Sequence, residues 1–214
     1  GIDLGTTNSA IAYPTEDNKC CIVENIADRM NVTPSAVAYV RGRYLIGRRA
    51  LDYPKVITCF KRKMGTKDVY KIDDANLSLT PEQLSSEVLK SLKRDAESRL
   101  GKDVKDVVIT VPAAFSSLQN EATKKAAELA GFRNVILLQE PISAAIAYGV
   151  KPGMKDQYWM VFDYGGGTLD VSILSTHDGR LTVVNSEGDN YCGGSDIDRM
   201  IYEKLVKPAL SKQY

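Results

Sequence analysis

Apolar positions along this chain follow two rhythms. Leu84, Val88, Leu92, Ala96 and Leu100 recur at spacing four and predict one amphipathic helix. Thr80-Pro81-Glu82-Gln83 marks its start: Thr80 as N-cap, Pro81 at the first helical position, Gln83 closing a capping box. Gly101 supplies the stop. Leu118, Ala122, Ala126 and Leu129 predict a second helix with those four facing inward, Lys124 and Lys125 on the solvated side, and Gly131 ending it. Strand-like runs lie at 107–111, ended by Pro112, and at 135–138, before a short helix over 141–148. Ahead of them, Ile2–Leu4, 9–13, 20–23 and 35–40 read as strands, with turns at 15–19 and Arg41-Gly42-Arg43; 46–66 is mixed and partly helical. The pattern restarts near residue 155. Strands are predicted at 159–162, 169–174 and 181–185, the last two joined at Asp178-Gly179. Ser195 is expected to cap a final helix, with Asp198 three residues on.

Strands alternating with helices argue for an α/β protein, and 214 residues suffice for one large domain or two lobes. Apolar residues make up 43% and charged residues 26%, with a formal net charge of +1. No polycationic stretch suggests nucleic acid and no apolar run is long enough for a bilayer, so neither is expected as a partner. Cys20, Cys21, Cys59 and Cys192 lack metal-ligand spacing and are expected to be free thiols. His177, the one histidine, lies beside a turn and reads as a solvated loop residue. The Asn31 and Asn76 sequons read as chance matches. The chain starts with Gly1 inside an apparent strand, and we read it as a piece of a longer protein.

An internal echo carries the chemistry. Gly1-Ile2-Asp3-Leu4-Gly5-Thr6-Thr7 ends a first strand and turns into a second; Phe162-Asp163-Tyr164-Gly165-Gly166-Gly167-Thr168 repeats the plan. Each places an aspartate near a strand end, then glycine, then hydroxyls. Glycines let the backbone approach a phosphate, and successive N–H groups form an anion-binding nest. Aspartates offer hard oxygens to Mg²⁺, which keeps several waters and takes few protein carboxylates. Two such turns facing each other would clamp a triphosphate between lobes. Either alone reads as a plain hairpin; the pair, flanked by strands, favours phosphate. No Gly-x4-Gly-Lys-Ser/Thr loop and no Gly-x-Gly-x-x-Gly after a strand offers another phosphate site, and no Ser-His-Asp triad or zinc set is present.

These residues closely resemble the seventy-kilodalton heat-shock proteins, the DnaK-type chaperones. The resemblance runs through Gly1 to Ser9, Val108-Ile109-Thr110-Val111-Pro112-Ala113, Glu140-Pro141 with Ala144-Ala145-Ile146-Ala147-Tyr148-Gly149, and Phe162 to Ser172. It continues in Gly193-Gly194-Ser195-Asp196-Ile197-Asp198, in order along nearly the whole chain. It implies an actin-like ATPase (ribonuclease H-like) fold: a first lobe over 1–154 with a short subdomain insertion at about 41–80, and the truncated beginning of a second lobe over 155–214. It implies ATP or ADP with Mg²⁺, and K⁺ as a further candidate cation. Asp3 and Asp163 would hold the hydrated metal, and Asp170 would orient water or cation. Gly5, Thr6, Thr7 and Asn8 would bind the β- and γ-phosphates from one side, and Gly165, Gly166, Gly167 and Thr168 from the other. Lys61 matches the family's catalytic lysine, and Glu140 would act through water near the metal, with Asp163 and Thr168 also in the catalytic set. Without the resemblance, Lys61 reads as a surface lysine and Glu140 as a carboxylate favoured by a helix N-terminus.

The implied function is an ATP-hydrolysing chaperone module that drives binding and release of unfolded peptides through a C-terminal domain beyond Tyr214, with a J-domain co-chaperone and a nucleotide exchange factor as partners. A cytoplasmic location is expected, with the endoplasmic reticulum or an organelle left open. The isolated fragment is expected to bind ATP weakly, its last part loosely packed or paired with a second copy. A non-catalytic co-chaperone or scaffold is the alternative; a small-molecule kinase is disfavoured by the 140–149 stretch. Departures from the family pattern are Asn120 in place of an arginine that signals between domains, Ile142-Ser143 after Glu-Pro, Ser195 in place of an acidic residue, and a short 66–78 segment.

Overall fold

Ile2 and Leu4 are 1% and 2% exposed, while Asp3 between them is open to solvent. That alternation sits at the centre of the sheet in the computed structural model, which describes residues 1–17, 19–72, 75–151 and 153–211. The chain divides into two compact units, Gly1–Glu140 and Pro141–Tyr214.

The first unit opens with β1 (Ile2–Leu4), β2 (Asn8–Pro14), β3 (Cys20–Ile22) and the two-residue β4 (Thr33–Pro34). A hairpin of β5 (Val37–Val40) and β6 (Arg43–Ile46), one helical turn α1 (Arg48–Leu51), a 3₁₀ turn at Phe60–Lys63 and a hairpin of β7 (Tyr70–Ile72) and β8 (Leu77–Leu79) follow. Then α2 (Pro81–Leu100), β9 (Asp106–Val111), α3 (Ser117–Leu129) and β10 (Asn134–Gln139) alternate, and α4 (Glu140–Tyr148) starts on the last residue of this unit and continues into the second. The strands order as β10-β9-β1-β2-β3, with β4 on β2. β1 pairs antiparallel with β2 and parallel with β9, and β9 pairs parallel with β10. The sheet is therefore mixed, with α3 as the crossover that parallel neighbours require.

The start of α2 is the predicted capping box: Thr80 N–H donates to Gln83 Oε1 at 2.9 Å, and Gln83 N–H to Thr80 Oγ1 at 3.3 Å. Leu84, Val88, Leu92 and Ala96 are buried against Ile2, Leu4, Ile11 and Ile109. The inward face of α3 differs from the expectation. Ala122, Thr123, Ala126 and Ala127 are buried, while Leu118 and Leu129 are 71% and 45% exposed. At 3.6 residues per turn the buried sector is centred roughly 90–110° away from both leucines. The first turn of α3 also backs onto Gly65, where an added Cβ would lie 3.0 Å from the Leu118 carbonyl and the Gln119 amide. Alanines let α3 lie close to α2; leucines there would hold the helices apart.

The second unit is an antiparallel meander of β11 (Gln157–Tyr164), β12 (Leu169–His177) and β13 (Arg180–Asp189). Asp178 and Gly179 both have positive φ, 47° and 72°, as a two-residue hairpin with this twist demands. Ala145, Val150 and Leu174 form its small core, with Ile142, Trp159, Val161, Leu181 and Val183 packed around it. Because Ala145 and Val150 bury there, the division falls at Glu140/Pro141, ahead of the 154/155 boundary expected from sequence.

The last elements are α5 (Gly194–Ile201), a π turn at Tyr202–Val206 and α6 (Lys207–Leu210), none with a buried residue. Ser195 is not the cap of α5. Gly193 holds the extended N-cap conformation, and its N–H donates to Asp196 Oδ2 at 3.1 Å. Asp196, not Asp198, therefore completes the cap, because Gly193 alone fits against the backbone of Gly166 and Gly167. Among the described residues no helix is long and apolar enough to cross a membrane, and all four cysteines are free.

Candidate functional site

β1 delivers Asp3 to the sheet's end beside β9, where Thr110 Oγ1 donates to Asp3 Oδ1 at 3.2 Å. The chain then turns through Gly5, Thr6 and Thr7 into β2. Gly5 is obligatory: a methyl there would overlap the Asn8 carbonyl oxygen. The turn is held by a residue distant in sequence. Ser35 Oγ donates to the Gly5 carbonyl at 2.7 Å, and Ser35 N–H donates to the Thr7 carbonyl at 2.7 Å. Since a serine hydroxyl has one proton, Ser9 must donate to Ser35 Oγ across their 2.9 Å contact. Ser9 and Ser35 are 1% and 2% exposed. The amides of Thr6 and Thr7, by contrast, find no acceptor among the described residues. Carbonyls turned to internal donors and amides left open make an anion-seeking turn.

Lys61 and Glu140 meet in the same unit. Lys61 sits in the 3₁₀ turn after Cys59, whose φ of 56° swings the chain inward, and Phe60 and Met64 on either side are buried. Lys61 is 8% exposed. Its Nζ lies 2.8 Å from Glu140 Oε1 and 5.7 Å from the centre of the Phe115 ring. Glu140 is the first residue of α4, where the helix dipole favours a carboxylate. Lys61 is therefore a fixed cation, and the reading of it as a solvated surface lysine does not hold.

In the second unit Asp163 and Asp170 are register partners across the β11–β12 hairpin. Gly165 N–H donates to the Thr168 carbonyl at 2.9 Å and closes the turn. The carbonyls of Gly165 and Gly166 accept from Gly194 N–H at 3.1 Å and Ser195 N–H at 2.9 Å. The amides of Gly166 and Thr168 have no acceptor among the described residues. The plan of the first turn recurs, with the N-terminus of α5 taking the part of Ser35. A Cβ at Gly193 would lie 2.5 Å from the Gly167 amide nitrogen, so this approach depends on glycine. Opposite Asp170 stands Gly188, where a Cβ would lie 2.9 Å from Asp170 Oδ1. That glycine leaves room for the carboxylate.

Asp3, Gly5, Thr6, Thr7, Asn8, Lys61 and Glu140 thus belong to the first unit, and Asp163, Gly165 to Thr168 and Asp170 to the second. Sequence reasoning missed Ser35, Gly188 and the seating role of Gly193. No local signal marks Ser35, because its partner lies 30 residues away and only β4 on β2 brings them together. His177, placed in a loop by sequence, is 3.1 Å from Asp156 and 3.5 Å from Asp178 at the exposed end of its hairpin.

A mixed sheet whose first strand runs into a glycine-threonine turn with open amides, and a second such turn on an antiparallel meander, define an α/β protein with two turns of the kind that can receive an anion. The family model described as Hsp70 protein matches residues 1–213, and the chain belongs to that family. Membership implies the actin-like ATPase fold. The chaperone protein DnaK of Thermosipho africanus is 45% identical over 213 residues, covering 97% of this chain and 35% of that protein. The DnaK proteins of Thermotoga neapolitana and Thermotoga maritima are 43% and 42% identical over the same share. The chain thus spans about a third of the length of the curated relatives it matches.

Proposed function

We propose that this chain is the front portion of the ATP-binding domain of an Hsp70-type chaperone, the first lobe of an actin-like ATPase with the start of the second. In the full-length protein ATP hydrolysis would drive binding and release of unfolded peptides in the cytoplasm. The observation that carries this reading is the open pair of amides at Thr6 and Thr7, above carbonyls already bonded to Ser35. Neutral hydroxyls and unbonded N–H groups suit a polyphosphate, and the carboxylates of Asp3, Asp163 and Asp170 suit a metal ion that keeps its water shell.

Each residue has a task in phosphoryl transfer to water. Gly5 to Asn8 in the first unit, and Gly165 to Thr168 in the second, would each offer donors to β- and γ-phosphate oxygens. Asp3 in the first unit, and Asp163 and Asp170 in the second, are the carboxylates that would hold Mg²⁺ through its waters, with Asp170 also suited to a further water or a K⁺ ion. Mg²⁺ supplies charge neutralisation at the phosphates when bound. Lys61 spends one N–H on Glu140, leaving two donors for a γ-phosphate oxygen and the attacking water. Thr168 adds a hydroxyl at the second turn. Catalysis of this kind is mostly positioning and charge stabilisation. J-domain and nucleotide-exchange partners belong to this reading of the whole protein.

Calorimetric titration of the chain with Mg-ATP, and phosphate release by the full-length protein, test the proposal. Weak binding by the isolated chain and turnover by the full-length protein are expected. A full-length protein that binds Mg-ATP without turning it over would move the assignment to the non-catalytic co-chaperone.

A further inference from the structure

The first glycine-threonine turn is shaped by a side chain outside it. We infer that Ser35 is a positioning residue for polyphosphate binding, acting through the Gly5 and Thr7 carbonyls; the inference rests on the phosphate reading of that turn.

Three observations carry it. First, Ser35 touches the turn twice, by hydroxyl to Gly5 and by amide to Thr7, each at 2.7 Å. A carbonyl held by an internal donor cannot swing toward a phosphate and repel it; the bond to Gly5 fixes the peptide plane that carries the Thr6 amide, the bond to Thr7 fixes the plane that carries the Asn8 amide, and the Thr7 amide lies between these two fixed planes. Second, the serine is built in. It is 2% exposed, its hydroxyl donates to Gly5 while its oxygen accepts from Ser9, and Ala36 N–H to Pro34 O at 2.8 Å fixes the backbone beside it. Third, the backbone at Gly5 has no slack, because a methyl there would overlap Asn8. A turn this tight has few ways to relax when one of its two ties is cut. Ser35 would not touch the ligand, so its effect must pass through turn geometry.

The experiment uses the 214-residue chain, ¹⁵N-labelled, titrated with inorganic pyrophosphate and with tripolyphosphate in the presence of Mg²⁺. The parent is expected to show saturable shifts at the Thr6 and Thr7 amides. Ser35→Ala should weaken binding about five- to ten-fold, as expected for one hydrogen bond, and should move both amide resonances before ligand is added. Should Ser35→Ala fold poorly, the isosteric pair Ser35→Thr and Ser35→Val differs only in the hydroxyl: Thr should retain parent affinity and Val should lose it. Ser9→Ala removes a buried hydroxyl from the same pair but leaves the bond to Gly5, and should weaken binding less than Ser35→Ala. Parent-like affinity and parent-like Thr6 and Thr7 resonances in Ser35→Ala, or equal loss in the Thr and Val variants, overturn the inference alone. A parent with no shifts at Thr6 and Thr7 up to saturating tripolyphosphate overturns the phosphate reading and the inference with it.

Discussion

Lys61 Nζ lies 2.8 Å from Glu140 Oε1, joining a 3₁₀ turn to the first residue of α4 across 79 residues of sequence. The pair is largely shielded, with side-chain exposures of 9% and 18%. Removing either partner leaves the other charge poorly solvated. Lys61→Met and Glu140→Gln should each destabilise the chain, and the double variant should recover part of that loss. A denaturation cycle should give a coupling of about 1–3 kcal/mol. In the full-length protein Lys61→Met should slow ATP hydrolysis by at least about 100-fold while nucleotide affinity changes little. Unchanged turnover would remove Lys61 from the reaction.

Gly5→Ala tests the first turn directly. The added methyl overlaps the Asn8 carbonyl oxygen, which is backbone and cannot rotate away. The turn must open, so polyphosphate affinity should fall by more than about ten-fold, beyond one lost hydrogen bond. Stability should fall by roughly 1–3 kcal/mol. Amide shifts confined to residues near 5–9 and 33–35, read by NMR, would locate the damage.

Adjacent glycines at the start of α5 should respond differently. A Cβ at Gly193 lies 2.5 Å from the Gly167 amide nitrogen, whereas one at Gly194 has its nearest neighbour at 3.7 Å. Gly193→Ala should displace the Gly165–Thr168 turn and lower the melting temperature; Gly194→Ala should be close to neutral. Equal melting curves for the two variants would show that α5 does not seat this turn.

Asp95 on α2 gives a pH dependence. The residue is 6% exposed and its Oδ2 has no hydrogen-bond partner among the described residues. Burial pushes its carboxyl above the ordinary 3.8, opposed by the Ile26 amide and by Arg94. Between the ordinary value and the raised one the folded chain holds a proton that the unfolded chain has lost. This carboxyl therefore makes stability fall as pH rises through that window. Asp95→Asn should flatten that slope. At pH 7 it should raise the melting temperature by about 2–4 °C, the shift expected for a gain near 1 kcal/mol in a chain of this size. A slope unchanged by the substitution would assign the pH dependence to other groups.

Wherever structure depends on neighbours along the chain, the sequence was sufficient. The α2 capping box needs only residues 80–83, the Asp178-Gly179 hairpin only its two turn residues, and the alternation at Ile2 to Leu4 only a period of two. The two glycine-rich turns and the family they belong to were legible for the same reason. What the tertiary structure decided involves groups far apart in sequence. Spacing four in α3 pointed to Leu118 and Leu129, but close packing against α2 and the backbone at Gly65 selected the alanine face. Ser195 has the side chain of a cap, yet Gly193 caps α5 because only a residue without Cβ fits beside Gly167. Lys61 reads as one of three basic residues in a row until Glu140 is brought to it. Ser35 carries no local mark at all. Local propensity acts over a few residues, whereas steric exclusion and buried hydrogen bonding act on whatever the fold places side by side.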